Sequence, residues 1–185
     1  MVTFMTWQKK FLGNKVWIIV IIILVGFSLI SGILLEKWLK SVVVVKTPTK
    51  ETVVVTKVVD GDTIDVKMVD GKVEIVRLLG IDSPELNDKE VLAACFALMA
   101  KEKLAEKVLN GEVRLESDDS QGDRDKYGRL LRQVYYQDQL INAWLVREGL
   151  ARVYNQYPVK KTEEFRLLES EAKKENKGLW RGWCQ

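Results

Sequence analysis

At 185 residues, with 29 Lys and Arg against 26 Asp and Glu, the chain has room for one ordinary domain and an appendage. It contains no histidine, which excludes imidazole acid–base chemistry. The first fifty residues hold seven lysines and one acid, so residues 51–185 carry 22 bases against 25 acids, a net of −3, which excludes a generally basic nucleic-acid-binding surface.

Residues 1–15, with Lys9, Lys10 and Lys15, read as a basic cytoplasmic tail. The twenty residues from Val16 to Leu35 carry no charge, and at about 1.5 Å per residue they match a hydrocarbon core roughly 30 Å thick. Trp17 and Trp38 stand near the two ends, as interfacial aromatics do. The pattern predicts a single-pass signal anchor at 16–35 that leaves the remainder outside the cell membrane. A cleavable signal peptide ending near Gly26-Phe27-Ser28, and hence a secreted protein, is the alternative. Residues 36–50, ending in Lys46-Thr47-Pro48-Thr49-Lys50, read as a linker, and residues 51–185 as the folded domain.

Within that domain Thr52–Val59, Thr63–Val69 and Val73–Leu79 are β-branched runs, and Asp70-Gly71 predicts a two-residue hairpin between the last two. Gly111–Glu116 and Arg129–Tyr136 supply two more strands. A helix is predicted over Asp88–Leu109, with Leu92, Cys95, Phe96 and Met99 on one face and Asn110-Gly111 as its stop. A second covers Asp138–Glu148, with Ile141, Trp144 and Leu145 on one face and an end at Gly149. A third covers Thr162–Asn176, with Thr162 as N-cap and Gly178 as the C-terminal stop. Five short strands with an inserted helix predict an α+β fold: a Greek-key barrel of the OB type with three helices.

Chemistry concentrates in three places. Alternation along Val73–Leu79 groups Arg77 with Val73, Ile75 and Leu79, so a guanidinium is expected on an apolar face. That is costly unless it is paired with Asp82 or Glu85, or grips a ligand such as phosphate. Asp62, in Asp60-Gly61-Asp62, is either a turn acid capping amides or one of a carboxylate pair with Asp82. Two such acids brought together need a cation, and oxygen ligands without His or Cys favour calcium or magnesium over zinc. Glu85 follows Pro84 on a rigid turn and is a candidate base for activating water. Arg129, after Tyr127-Gly128, is either a hairpin surface arginine or a second phosphate ligand.

The segments Asp60-Gly61-Asp62-Thr63, Arg77-Leu78-Leu79-Gly80-Ile81-Asp82-Ser83-Pro84-Glu85, Asp125-Lys126-Tyr127-Gly128-Arg129 and Leu145-Val146-Arg147-Glu148-Gly149-Leu150-Ala151, in this order, resemble the four signature segments of the staphylococcal nuclease (thermonuclease) family, over about residues 51–180. The resemblance implies an OB-fold barrel and calcium-dependent hydrolysis of DNA and RNA with little sequence specificity, giving 3′-phosphorylated products. It implies calcium carboxylates at Asp62 and Asp82, with Ser83 ligating through its carbonyl. It implies a general base at Glu85 and phosphate-holding arginines at Arg77 and Arg129. Lys126 and Tyr127 correspond to contacts with the nucleotide's terminal phosphate, and Tyr157 to one of two base-stacking tyrosines. Asn155 replaces the other, which Tyr154 substitutes only if the turn is reshaped. The loop after Glu85 is short and lacks a glycine-rich insertion.

The expected protein is a membrane-anchored, monomeric, extracytoplasmic nuclease. Its rival is a non-catalytic OB module that binds nucleic acid or protein, a class that loses these acids and arginines. The only two cysteines, Cys95 on the first helix and Cys184 in the tail, are expected to form a disulfide in an oxidising setting.

Overall fold

The computed structural model describes residues 50–86 and 89–184. The tail, the span expected at 16–35 and nearly all of the 36–50 linker lie outside the described residues, among which no helix is long and apolar enough to cross a membrane.

Strands β1 (Lys50–Val58), β2 (Thr63–Lys67), β3 (Val73–Leu78), β4 (Ile81–Asp82), β5 (Glu112–Glu116), β6 (Leu130–Tyr136), β7 (Gln139–Leu140) and β8 (Arg152–Val153) alternate with helices α1 (Val91–Val108), α2 (Ile141–Arg147) and α3 (Thr162–Lys174). The first three strands form an antiparallel meander, β5 and β6 continue it beyond β1, and a parallel pairing of β3 with β6 closes a five-stranded barrel. This closure is consistent with an OB fold and removes the exposed sheet edge. Inward-facing Val53, Val55, Ile64, Val66, Val76, Leu78, Val113, Leu115 and Val134 fill the interior, each contributing about 1.5–3 kcal/mol by leaving water.

The expected two-residue hairpin is instead a three-residue one. Gly71 N–H donates to the Met68 carbonyl at 2.9 Å and Met68 N–H to the Lys72 carbonyl at 2.8 Å, with Gly71 at φ +87. A β-turn followed by a left-handed glycine is the usual solution for this loop length.

The face expected for Arg77 also needs correction. Val76 and Leu78 enter the core, whereas Val73 and Ile75 face outward, 56% and 45% exposed, so Arg77 rises from the outer surface of β3. On α1 the buried stripe is Phe96, Ala97, Ala100, Leu104 and Val108, and Leu92 is left exposed. The small Ala100 lets this helix approach the Asp60–Asp62 turn, where a Cβ on Gly61 would lie 2.7 Å from both the Ala100 and the Ser83 Cβ atoms. Thr162 is not an N-cap: its hydroxyl accepts the Val159 N–H at 2.8 Å, and Lys161 occupies the cap position.

Short α2 is tied down by fully buried Asn142, whose Oδ1 accepts the Val134 N–H at 2.9 Å and whose Nδ2 donates to the Leu79 and Arg132 carbonyls at 2.9 and 3.4 Å. One side chain thus joins β3, β6 and α2. Asn142→Leu is expected to lower stability by about 3 kcal/mol, because it strands buried partners; a urea midpoint unchanged from wild type would contradict this.

After α2, Gly149 adopts φ +68 and Leu150 N–H returns to the Leu145 carbonyl at 2.8 Å, which ends the helix as expected. A Cβ on Gly149 would strike the Lys177 carbonyl oxygen at 2.4 Å, so the carboxyl-terminal segment can lie directly against this turn. Beyond it a disulfide joins Cys184 to Cys95 of α1, with Cα atoms 6.1 Å apart across 89 residues of chain. Closing a loop of this length contributes on the order of 4 kcal/mol in the chain-entropy model.

Candidate active site

One cleft of about 610 Å³ gathers residues from every signature segment but the last: Asp60 and Asp62 before β2, Arg77 on β3, Asp82 and Glu85 around β4, Lys126, Tyr127 and Arg129 before β6, and Tyr154 and Tyr157 after β8. Ser83 lies behind Asp82, lining an adjacent cavity.

Asp62 is the structural centre. Its N–H bonds Asp60 Oδ1 at 3.0 Å, its carbonyl accepts from Leu78 N–H at 2.9 Å, and its Oδ2 accepts the Ser83 N–H at 2.7 Å. The other carboxylate oxygen accepts the Thr63 hydroxyl at 3.1 Å and faces Arg77 Nε, also at 3.1 Å. Burial pushes its pKa up to about 6; Arg77 opposes the rise, while Asp60 and Asp82 add to it.

Arg77 resolves the alternatives open in the sequence: its guanidinium is paired, with Asp82 rather than Glu85. Nη2 meets Asp82 Oδ1 at 2.9 Å, and Nη1 donates to the Leu78 and Ile81 carbonyls at 2.7 and 2.8 Å. With Nε on Asp62, four of its five N–H donors are engaged, and one Nη2 hydrogen remains for a ligand. Glu85 stands exposed at the cleft rim on the turn that follows Pro84.

Arg129 belongs to a turn shaped largely by Asp125. Asp125 Oδ1 accepts the N–H groups of Tyr127 and Arg129 at 2.9 and 3.0 Å, and Oδ2 accepts Arg129 Nε at 2.7 Å. Gly128, at φ +83 with nothing within 4 Å of a built Cβ, completes the turn and leaves room beside it. The exposed Tyr127 ring lies beneath both Lys126 Nζ and the Arg129 guanidinium, 4.9 and 5.4 Å from its centroid. Across the cleft, the Tyr154 and Tyr157 rings are 5.9 Å apart and tilted by 38°. Asn155 turns away, its Oδ1 accepting from Arg166 Nε and Nη2 at 3.2 and 2.9 Å. Tyr154, and not Asn155, therefore lines the cleft beside Tyr157. Asp125, unassigned from sequence although it begins a signature segment, proves to be the residue that organises that turn.

Among the described residues no three His, Cys, Asp or Glu side chains form a group that could hold a metal ion. The donor chemistry nonetheless fits a hard cation. Asp62 and Asp82 sit close enough to share one guanidinium, and the buried Asp62 carboxylate is raised partly by its acidic neighbours. Paired carboxylates of this kind suit calcium or magnesium, which take oxygen ligands.

A family model described as staphylococcal nuclease homologue matches residues 75–182. The chain is 39% identical over 131 residues to endonuclease YncB of Bacillus subtilis, covering 69% of this chain and 61% of that protein. It is 41% identical over 136 residues to the SPbeta prophage-derived endonuclease YokF of B. subtilis, covering 71% and 45% respectively. A thermonuclease of Staphylococcus intermedius is 38% identical over 125 residues, 68% of this chain and 71% of that protein. The match thus spans less than two thirds of either Bacillus protein.

Proposed function

The chain belongs to the staphylococcal nuclease homologue family, and from that premise we propose that its cleft hydrolyses DNA and RNA phosphodiester bonds, with calcium as the metal and low sequence specificity. One observation carries this reading: Arg77, Arg129, Asp62, Asp82 and Glu85 all line a single cleft in a domain whose net charge is −3. A bystander binding module of this fold has no need of two arginines facing three carboxylates.

Asp62, Asp82 and the Ser83 carbonyl would hold calcium, which when bound supplies Lewis-acid stabilisation of charge on the phosphate. Arg77 and Arg129 converge on the non-bridging oxygens and stabilise the charge that builds in the transition state. Glu85 takes a proton from the attacking water, the role that histidine fills elsewhere and that a carboxylate can fill in this histidine-free chain. Cleavage of the 5′ P–O bond leaves a 3′-phosphorylated product. Tyr154 and Tyr157 provide a stacking platform that tolerates any base, at about 1–3 kcal/mol per base, and Lys126 with Tyr127 receives the terminal phosphate. The domain works as a monomer outside the membrane, held by the span at 16–35; the Cys95–Cys184 disulfide supports an oxidising location.

Residues 46–185 incubated with single- and double-stranded DNA or RNA are expected to degrade all three in calcium and none in EGTA. Full cleavage in EGTA would remove the metal from this account, and no cleavage in calcium at neutral or alkaline pH would remove the enzyme. Glu85→Gln is expected to lower kcat by about 100-fold with no change in melting temperature, since the side chain is exposed. Wild-type turnover in that variant would reassign the base.

A further inference from the structure

The hydrogen bonds that shape the Asp125–Arg129 turn are internal to it, and a separate pair of side chains ties it to the barrel. Glu74 of β3 shares the inward face with Val76 and Leu78 and is buried. Its Oε2 accepts from Arg124 Nη1 at 2.8 Å, and Lys72 pairs with its other oxygen. The same Arg124 Nη1 donates to the Gly128 carbonyl at 2.7 Å. That carbonyl belongs to the peptide from which Arg129 begins, so one nitrogen links the buried carboxylate to the backbone immediately before the catalytic arginine.

The strand involved is also the one that carries Arg77. Glu74 stands three residues before it, and Arg77 pairs in parallel register with Leu131, two residues beyond Arg129. Resting on the nuclease reading for what the two arginines do, we propose that Glu74 and Arg124 are positioning residues that fix the separation of Arg77 and Arg129 through the Gly128 carbonyl. Glu74 lies outside the cleft lining, whereas Arg124 reaches it. Arg124 is 40% exposed, and a pair with one partner this exposed adds little to stability. A displacement of a catalytic group by about 1 Å, in contrast, can cost on the order of 100-fold in rate.

The test uses the full chain in detergent, with DNA and calcium. Glu74→Gln and Arg124→Met are each expected to lower kcat about tenfold, with KM within about twofold and the melting temperature within a few degrees. Arg124→Lys should retain kcat within about threefold, because a single nitrogen makes both contacts. The double variant should be no slower than Arg124→Met, since both changes break one chain of contacts. Unchanged kcat in Arg124→Met overturns the proposal. A rise in KM at constant kcat also overturns it, by making Arg124 a substrate contact, as does a loss of rate that merely follows a large fall in melting temperature. Position is read independently of turnover from the Nε–H NMR resonance of Arg129, which should move in Glu74→Gln and Arg124→Met while that of Arg77 stays in place. If the wild type cleaves nothing, the nuclease reading fails, and this resonance still decides whether the pair holds the turn.

Discussion

Arg129→Ala is expected to lower kcat on DNA by about 10³-fold while leaving the melting temperature within a few degrees. The separation of the two effects follows from how the arginine is held. Among the described residues its ion-pair partner is Asp125, four residues away in the same turn, and both lie at the cleft surface rather than in the barrel. Asp125 keeps its bonds to the Tyr127 and position-129 amides when the guanidinium is gone. The turn therefore survives, and only the charge facing the phosphate is lost. Arg129→Lys should recover little of the rate, because an ammonium cannot keep Nε on Asp125 and offer a fork to two phosphate oxygens at once. Turnover within tenfold of wild type in Arg129→Ala would place transition-state stabilisation elsewhere; unfolding of the variant would make Arg129 structural.

Arg77→Ala is expected to lower kcat by a similar factor of about 10³, and also to destabilise the calcium-free protein by about 3–5 kcal/mol. Here the guanidinium joins Asp62, Asp82 and two carbonyls, and its removal leaves the buried Asp62 carboxylate without its cation. The pH dependence has a definite sign. Asp62 titrates higher in the folded protein, near 6, than its ordinary 3.8, so it favours folding below about pH 4 and loses that contribution as pH rises through 6. Without Arg77 the upward shift is larger, and the variant should lose stability relative to wild type as pH rises from 4 towards neutrality. Calcium should raise the melting temperature of Arg77→Ala more than that of wild type, by supplying the missing positive charge, without restoring kcat. Thermal melts at pH 4.5 and 7.5, with calcium and with EGTA, check this. Equal calcium shifts in the two proteins would separate Asp62 and Asp82 from the metal.

By itself the sequence determined the five barrel strands, because β-branched runs bounded by glycine, asparagine and aspartate leave few other conformations. It also singled out Asp62, Arg77, Asp82, Glu85 and Arg129, which stand in motifs too specific to arise from core packing and which the fold brings into one cleft. Tertiary structure decided the faces. In Val73-Glu74-Ile75-Val76-Arg77-Leu78 both alternating sets contain apolar residues, so periodicity groups Arg77 with Val73 and Ile75 but cannot say which set the barrel encloses. Helix α1 presents the same difficulty: Ala100 is buried against the Gly61 turn, while the more hydrophobic Leu92 stays 45% exposed. That Tyr154 and not Asn155 lines the cleft is also a tertiary outcome, since Arg166, eleven residues on, holds the asparagine oxygen. The link from Glu74 to Arg124 spans fifty residues; no local pattern encodes it, because only closure of β3 against β6 brings the two side chains together.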